Sequence, residues 1–88
     1  MPGFCARIYV TLKPSVNDPQ GLTIQGGLHM LGFKTVQQVR IGKFLEVELE
    51  EVSRADAEGR VDEMCRKLLA NPIIEDYRFE VEAAEVGG

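Results

Sequence analysis

The chain has 88 residues, which is enough for one small domain that buries roughly 60 to 70% of the surface its unfolded form would expose. Its hydrophobic fraction of 44% and charged fraction of 27% are typical of a globular protein, and we expect a single domain over residues 1–88. The formal net charge of -4 argues against nucleic acid as a ligand. No apolar run approaches the roughly 18 residues that cross a bilayer, so we expect a cytoplasmic protein without a membrane partner.

The first third of the chain predicts a strand followed by a helix. Apolar and polar side chains alternate from Cys5 to Lys13, which is the pattern of a half-buried strand. Asp18 is a favourable N-cap and Pro19 suits the first helical position, so a helix is expected to begin there. Gly32 is suited to end it in the left-handed conformation. The apolar stripe of this helix consists of Ile24, Leu28 and Leu31.

The middle of the chain predicts a β-hairpin. Two runs with alternating apolar residues, Val36–Lys43 and Phe44–Glu51, are expected to form strands that are joined near Gly42 and Lys43. Their inward set would be Val39, Ile41, Leu45, Val47 and Leu49.

The last third predicts a second helix and a closing strand. Ser53 and Asp56 have the spacing of a capping box, and the dipeptide Asn71-Pro72 is expected to end the helix. The apolar stripe of this helix would contain Val61, Met64, Cys65 and Leu68. In the strand that follows, Tyr77, Phe79 and Val81 would face inward.

The element order predicts an α+β fold of the ferredoxin-like βαββαβ type, with a four-stranded antiparallel sheet and two helices on one face. The first and third strands would be neighbours. On the face without helices, that arrangement places Arg7, Tyr9 and Lys13 near Glu46, Glu48 and Glu50. This face is either a solvated surface with matched charges or a docking surface, and the small size of the domain favours an oligomer.

No catalytic or metal site can be assembled from the sequence. The single histidine, His29, has no carboxylate or cysteine at ligand spacing. Glu75 and Asp76 are adjacent in a strand and therefore point to opposite faces. Cys5 and Cys65 are best explained as small buried side chains. We therefore predict no catalytic, cofactor-binding or metal-binding residue in this chain.

Several short clusters, taken together, resemble the PurS family, the small subunit of phosphoribosylformylglycinamidine (FGAM) synthase. The resemblance covers about Ala6 to Glu82. It rests on Asp18-Pro19-Gln20-Gly21, Leu31-Gly32, Val39-Arg40-Ile41-Gly42-Lys43, Cys65 with Leu68-Leu69-Ala70-Asn71-Pro72, and Ile74-Glu75-Asp76-Tyr77.

The resemblance implies a non-catalytic subunit of a glutamine-dependent carbon–nitrogen ligase in purine biosynthesis. Such a subunit bridges a glutaminase subunit, which releases ammonia, and a synthetase subunit, which uses ATP to convert formylglycinamide ribonucleotide to the amidine. It assists ammonia transfer and forms a dimer or tetramer, while ATP, magnesium and glutamine belong to the partners. The interface candidates are Asp18, Gln20, Arg40, Lys43, Asn71, Glu75, Asp76 and Tyr77.

Two alternatives to this hypothesis come from other functional classes. A small-ligand-binding regulatory module would need a pocket with convergent polar groups, for which the sequence offers only the Arg40–Lys43 turn and the helix start at Gly21. A stand-alone enzyme is the least favoured of the three, because His29 lacks partners.

Overall fold

The computed structural model describes residues 2–84, so that residue 1 and residues 85–88 of the predicted domain lie outside the described residues. Within this range the fold is α+β, with an antiparallel sheet of three strands in the order β2-β1-β3. Neither helix in this range has the length and hydropathy to span a membrane. The elements are β1 (Gly3–Leu12), α1 (Pro19–Met30), β2 (Gly42–Glu50), α2 (Arg54–Met64), a π-helical turn (Cys65–Leu69) and β3 (Glu75–Ala83).

β1 is the central strand of the sheet. Its residue Arg7 lies opposite Glu46 of β2 and Glu80 of β3, and both neighbours run antiparallel to it. The predicted alternation is confirmed, because every second side chain of β1 is buried against α2 while those between them face the other side. The buried side chains are Phe4, Ala6, Ile8 and Val10.

α2 covers one face of the sheet. As predicted, Ser53 caps its first turn, since its hydroxyl oxygen accepts a hydrogen bond from the backbone N–H of Asp56 at 3.2 Å. The side chains of α2 that face the sheet recur every fourth residue, as the period of an α-helix requires. They are Ala57 and Val61, followed by Cys65 at the start of the π-helical turn, and all three are fully buried.

The end of this helix differs from the prediction. The backbone N–H of Ala70 donates to the carbonyl of Cys65 at 3.0 Å, which is the spacing of a π-helix. Because the wider turn shifts the helical register by one residue, Leu69 lies half-buried against the core and Leu68 is 83% exposed. The prediction that Leu68 belongs to the buried stripe is therefore wrong.

The predicted hairpin is also wrong, although its second strand, Phe44–Glu51, is confirmed as β2. The segment 36–41 forms no strand, and Gly42 and Lys43 lie inside β2, opposite Thr11 and Val10 of β1. Gly42 does not have the positive φ of a hairpin turn. It is needed because a Cβ atom at this position would lie 2.4 Å from the carbonyl oxygen of Val10. The described sheet thus has three strands rather than four, in the order βαβαβ.

α1 begins and ends as predicted. Asp18 caps its first turn and Pro19 occupies its first position. Its last turn closes around Gly32, the only described residue with a positive φ, 102°. The N–H of Gly32 donates to the carbonyl of His29, and the N–H of Phe33 donates to the carbonyl of Leu28. These two bonds form a Schellman motif, which satisfies carbonyls that the helix end would leave unpaired.

The position of α1 contradicts the prediction that both helices cover one face of the sheet. α1 makes almost no contact with the strands or with α2, and only α2 packs on the sheet. The molecule is consequently elongated, with extents of 52 × 31 × 15 Å and a radius of gyration of 17.0 Å. A compact chain of this length would have a radius of gyration of about 12 Å.

Two glycine substitutions test the helix α2 and the pairing of β1 with β2. Gly59 lies inside α2, where a Cβ atom would meet nothing within 4 Å, so we expect Gly59→Ala to raise the free energy of unfolding by about 0.5–1 kcal/mol. Gly42→Ala should lower it by about 1–3 kcal/mol, because the new methyl group collides with backbone. Urea unfolding followed by circular dichroism measures both, and a neutral Gly42→Ala variant would contradict the observed pairing of β1 with β2.

Candidate functional site

The carboxylate of Asp18 joins the start of α1 to the segment that precedes β2. Its oxygens accept hydrogen bonds from the backbone N–H of Ile41 at 2.8 Å and from that of Gly21 at 2.9 Å, and the residue is only 5% exposed. These donors favour the charged carboxylate and hold the pKa of Asp18 below its ordinary value. Gly21 permits the approach, because a Cβ atom there would lie 2.2 Å from the carbonyl oxygen of Val39.

Arg40 holds the loop between β1 and α1 from the other side. Its guanidinium donates to the carbonyl oxygens of Lys13 at 2.8 Å and Val16 at 3.1 Å. Asp18 and Arg40 thus form one clamp, which fixes the loop before α1 against the segment before β2. The cluster that the regulatory-module hypothesis needs is therefore largely committed to the protein's own backbone.

The clamp predicts a pH-dependent effect of Asp18→Asn. The pKa of Asp18 is lowered in the folded state, so its stabilising contribution is present above the unfolded pKa of about 3.9 and is lost as pH falls through the folded pKa. Asparagine has nearly the size of aspartate, but its amide NH2 group is a donor and cannot accept the hydrogen bond from one of the two backbone N–H groups. We expect a lower urea midpoint than the native chain at pH 7, and a smaller difference at pH 3.

The exposed carboxylate Glu58 supplies a control for this experiment. Glu58→Gln should leave the urea midpoint unchanged at both pH values, because Glu58 forms no ion pair or side-chain hydrogen bond within residues 2–84. Equal midpoints for the native chain and Asp18→Asn at pH 7 would show that the clamp does not stabilise the fold.

The turn between α2 and β3 contains a second group of the interface candidates. The side-chain oxygen of Asn71 accepts from the N–H of Ile73 at 3.1 Å, and Glu75 Oε1 accepts from the N–H of Asn71 at 2.7 Å. Both side chains therefore stabilise the turn that leads into β3.

Tyr77 connects this turn to α2. Its hydroxyl donates to Asp62 Oδ1 at 2.6 Å, while Arg66 Nε donates to Asp62 Oδ2 at 2.9 Å. These bonds lower the pKa of Asp62, and the bond to Asp62 raises the pKa of Tyr77. The sequence reasoning missed Asp62. Its i,i+4 spacing to Arg66 indicated the ion pair, but no local signal indicated Tyr77 as a third partner.

The eight interface candidates converge on one end of the sheet, where β1 ends and both β2 and β3 begin. Five of them have the contacts given above. Of the other three, Gln20 and Lys43 are exposed, and Asp76 forms an ion pair with Lys13 at 2.9 Å. The register explains the convergence, since Thr11 lies opposite both Gly42 and Asp76. Their proximity to one another is thus observed, while their role in an interface remains a prediction.

The groups that carry chemistry elsewhere in proteins have structural roles here. His29 Nε2 lies 2.7 Å from the carbonyl oxygen of Val36, which joins the end of α1 to the following loop. Burial raises the pKa of the Cys65 thiol, which opposes formation of a thiolate. Within residues 2–84, no group of three His, Cys, Asp or Glu side chains is placed to hold a metal ion.

The side of the sheet opposite α2 is covered by neither helix, and we call it the open face. Arg7 lies opposite Glu46 there, as expected, but its ion pair is with Glu82 of β3 at 2.8 Å. The predicted pairing of β1 cations with β2 carboxylates is therefore replaced by pairing with β3. The charged and aromatic side chains of the open face are Arg7, Tyr9, Phe44, Glu46, Glu48, Glu50, Arg78, Glu80 and Glu82.

Comparison with known proteins identifies the family. The family model described as PurS, phosphoribosylformylglycinamidine (FGAM) synthase, matches residues 5–83, which is nearly the whole chain. The chain belongs to the PurS family. The PurS subunit of phosphoribosylformylglycinamidine synthase from Synechocystis is 54% identical over 79 residues, which cover 90% of this chain and 79% of that protein.

Solved PurS structures share the fold. The Bacillus subtilis PurS structure is 52% identical, covers 90% of this chain and 98% of its own, and superimposes with a TM-score of 0.77. A chain of the PurLQS structure from Thermotoga maritima is 33% identical, covers 93% of this chain and 100% of its own, and gives a TM-score of 0.85. The two helices and the antiparallel sheet are thus those of PurS proteins.

Proposed function

We propose that this chain is the small, non-catalytic subunit of an FGAM synthase complex in de novo purine biosynthesis. The observation that carries the proposal is the match along nearly its whole length to a chain of the PurLQS structure. In this role the chain acts in the cytoplasm as a single PurS-like domain. It bridges a synthetase subunit and a glutaminase subunit and assists the transfer of ammonia, for conversion of formylglycinamide ribonucleotide to its amidine.

In the proposed complex, ATP, magnesium and glutamine are bound by the partner subunits. A bridging chain contributes without chemistry of its own. By tethering two enzymes it raises the effective concentration of one active site at the other, on the order of millimolar for short tethers.

Self-association is the first partner interaction that the structure supports. Apolar side chains occur on several sides of α1 and just beyond its end, and they are exposed because α1 does not pack on the sheet. A helix with apolar residues all round is normally buried, and a large exposed apolar patch marks an interaction site. The exposed residues are Leu22, Ile24, Met30, Leu31 and Phe33.

The sheet offers a matching apolar surface on the same face as α2. Leu45, Val47 and Leu49 of β2 point to that face but are only half-buried, because α2 packs against β1 and β3. The helix α1 of a second copy would cover this apolar surface of β2. The helix α1 of the first copy would cover the same surface of the second copy in return. Such reciprocal contact is the symmetry of a two-fold dimer. A dimer is therefore the assembly unit that we propose, from which a tetramer would form by pairing.

Charged substitutions on α1 test the dimer. Ile24 and Leu31 lie on one stripe of the helix, and the double variant Ile24→Glu/Leu31→Glu places two unpaired charges in the proposed apolar interface. We expect the native chain to have at least the mass of a dimer in light scattering. The dissociation constant of the dimer should be about tenfold higher or more for the variant.

The control for this experiment is Val52→Glu. Val52 is 70% exposed in the loop before α2 and belongs to neither apolar surface, so this variant should keep the native mass. A native chain that is monomeric at tens of micromolar would remove the proposed dimer, and loss of mass in Val52→Glu would show that the effect is not specific to α1.

Reconstitution tests the proposed function itself. We expect glutamine-dependent formation of the amidine product by purified synthetase and glutaminase subunits to require this chain, and all three proteins to elute together in gel filtration. Ammonia-dependent activity of the synthetase should be far less sensitive to the chain, because free ammonia bypasses transfer between sites. Full glutamine-dependent activity without the chain would contradict the proposal.

A further inference from the structure

We propose that the open face of the sheet is the docking surface for a basic surface of a partner subunit, in which Lys and Arg side chains meet a row of carboxylates beside an aromatic anchor. This inference rests on the proposed function and deepens it, because it assigns partner binding to one side of the chain.

The cations of the open face are already engaged on β1 and β3. Arg7 pairs with Glu82 at 2.8 Å. The guanidinium of Arg78 lies 4.0 Å from the centre of the Tyr9 ring and 3.7 Å from Glu80. One half of the open face is therefore internally charge-matched.

The β2 half of the open face is not charge-matched. Glu46, Glu48 and Glu50 are exposed, and none of them forms an ion pair within residues 2–84. Alternate residues of a strand are about 6.5–7 Å apart, which is shorter than the Debye length of about 8 Å at physiological salt. The three carboxylates therefore repel one another, and cations from a partner would relieve that repulsion.

An aromatic depression lies next to this row. It has a volume of about 390 Å³, and its lining includes Tyr9, Phe44 and Arg78. The rings of Tyr9 and Phe44 are 5.1 Å apart between centroids, and Phe44 is 51% exposed. The aliphatic stem of a lysine or arginine can lie over the exposed ring of Phe44 while its charged end reaches a neighbouring carboxylate such as Glu46. The depression therefore suits the same basic partner as the carboxylate row.

The charge of the open face and its margin argues against other occupants. Six carboxylates face four cations, so two copies of this surface would repel each other, and the phosphates of nucleic acids or anionic lipids would be repelled as well. The apolar surfaces of α1 and β2 supply the contact between copies instead. The carboxylates are Glu46, Glu48, Glu50, Asp76, Glu80 and Glu82, and the cations are Arg7, Lys13, Lys43 and Arg78.

Charge reversal with a matched control tests the inference. Glu46→Lys/Glu48→Lys alters the open face, and Glu58→Lys/Glu63→Lys makes the same change of net charge on α2. Binding of each chain to the purified synthetase and glutaminase subunits is measured by biolayer interferometry at low and at physiological salt. We expect affinity to fall about tenfold or more for the first variant and to stay within about twofold for the second. Native binding should weaken as salt rises.

A neutral substitution separates the aromatic anchor from the charges. Phe44→Ala should weaken binding about fivefold or more while leaving its salt dependence close to native, because it removes apolar contact and no charge. Light scattering should show the native mass for every open-face variant, since the proposed dimer uses other surfaces.

Each remaining outcome overturns the inference. Equal binding by the native chain and Glu46→Lys/Glu48→Lys, or an equal loss in the α2 control, would show that the open face does not select the partner. A change of mass in the open-face variants would assign this face to contact between copies. If the native chain binds neither subunit, the proposed function fails and the docking surface fails with it.

Discussion

The structure depends on β1, the only described strand that is paired on both edges. It supplies Phe4, Ala6, Ile8 and Val10 to the core, and burial of a side chain the size of Ile8 or Val10 stabilises the fold by about 1.5–3 kcal/mol. Because β2 and β3 both run antiparallel to β1, their first residues meet at its carboxyl end. This geometry brings sequence clusters from three regions of the chain together. At the same end of the sheet, the clamp of Asp18 and Arg40 fixes the position at which α1 begins.

The second constraint is that one α-helix cannot cover a sheet of three strands. α2 packs on β1 and β3, which leaves the apolar side chains of β2 half-buried, and α1 lies away from the sheet with its own apolar side chains exposed. Both surfaces would contribute to stability if a second copy covered them. The proposed self-association would thus follow from how this chain folds, and the stability of the dimer would then depend on protein concentration.

Local rules predicted the elements that depend on neighbouring residues, and they failed where a distant atom decides. The alternation of apolar and polar residues predicted β1 and β3, and the cap residues Asp18 and Ser53 predicted where both helices begin. Gly42 has the sequence signature of a turn, yet a glycine is required there because the carbonyl oxygen of Val10 leaves no room for a Cβ atom. No local sequence pattern reveals this contact. The π-helical turn that exposes Leu68 likewise has no signal in the local sequence. The candidate residues of the site were found by family motifs. The sequence predicted the cap role of Asp18, but its bond to Ile41 and the backbone contacts of Arg40 and Glu75 became visible only in the fold.

The separation of surfaces bears on how a chain without catalytic residues would serve a ligase. The apolar surfaces of α1 and β2 lie apart from the open face, so contact between copies and contact with a partner subunit need not compete. A two-fold dimer would present two open faces, and each would bind its own basic surface. Two weak electrostatic contacts joined in this way give a combined affinity well above that of either one, because the second forms within the complex. The acidic row on β2 would then speed encounter with basic partners, while the aromatic depression would slow their release.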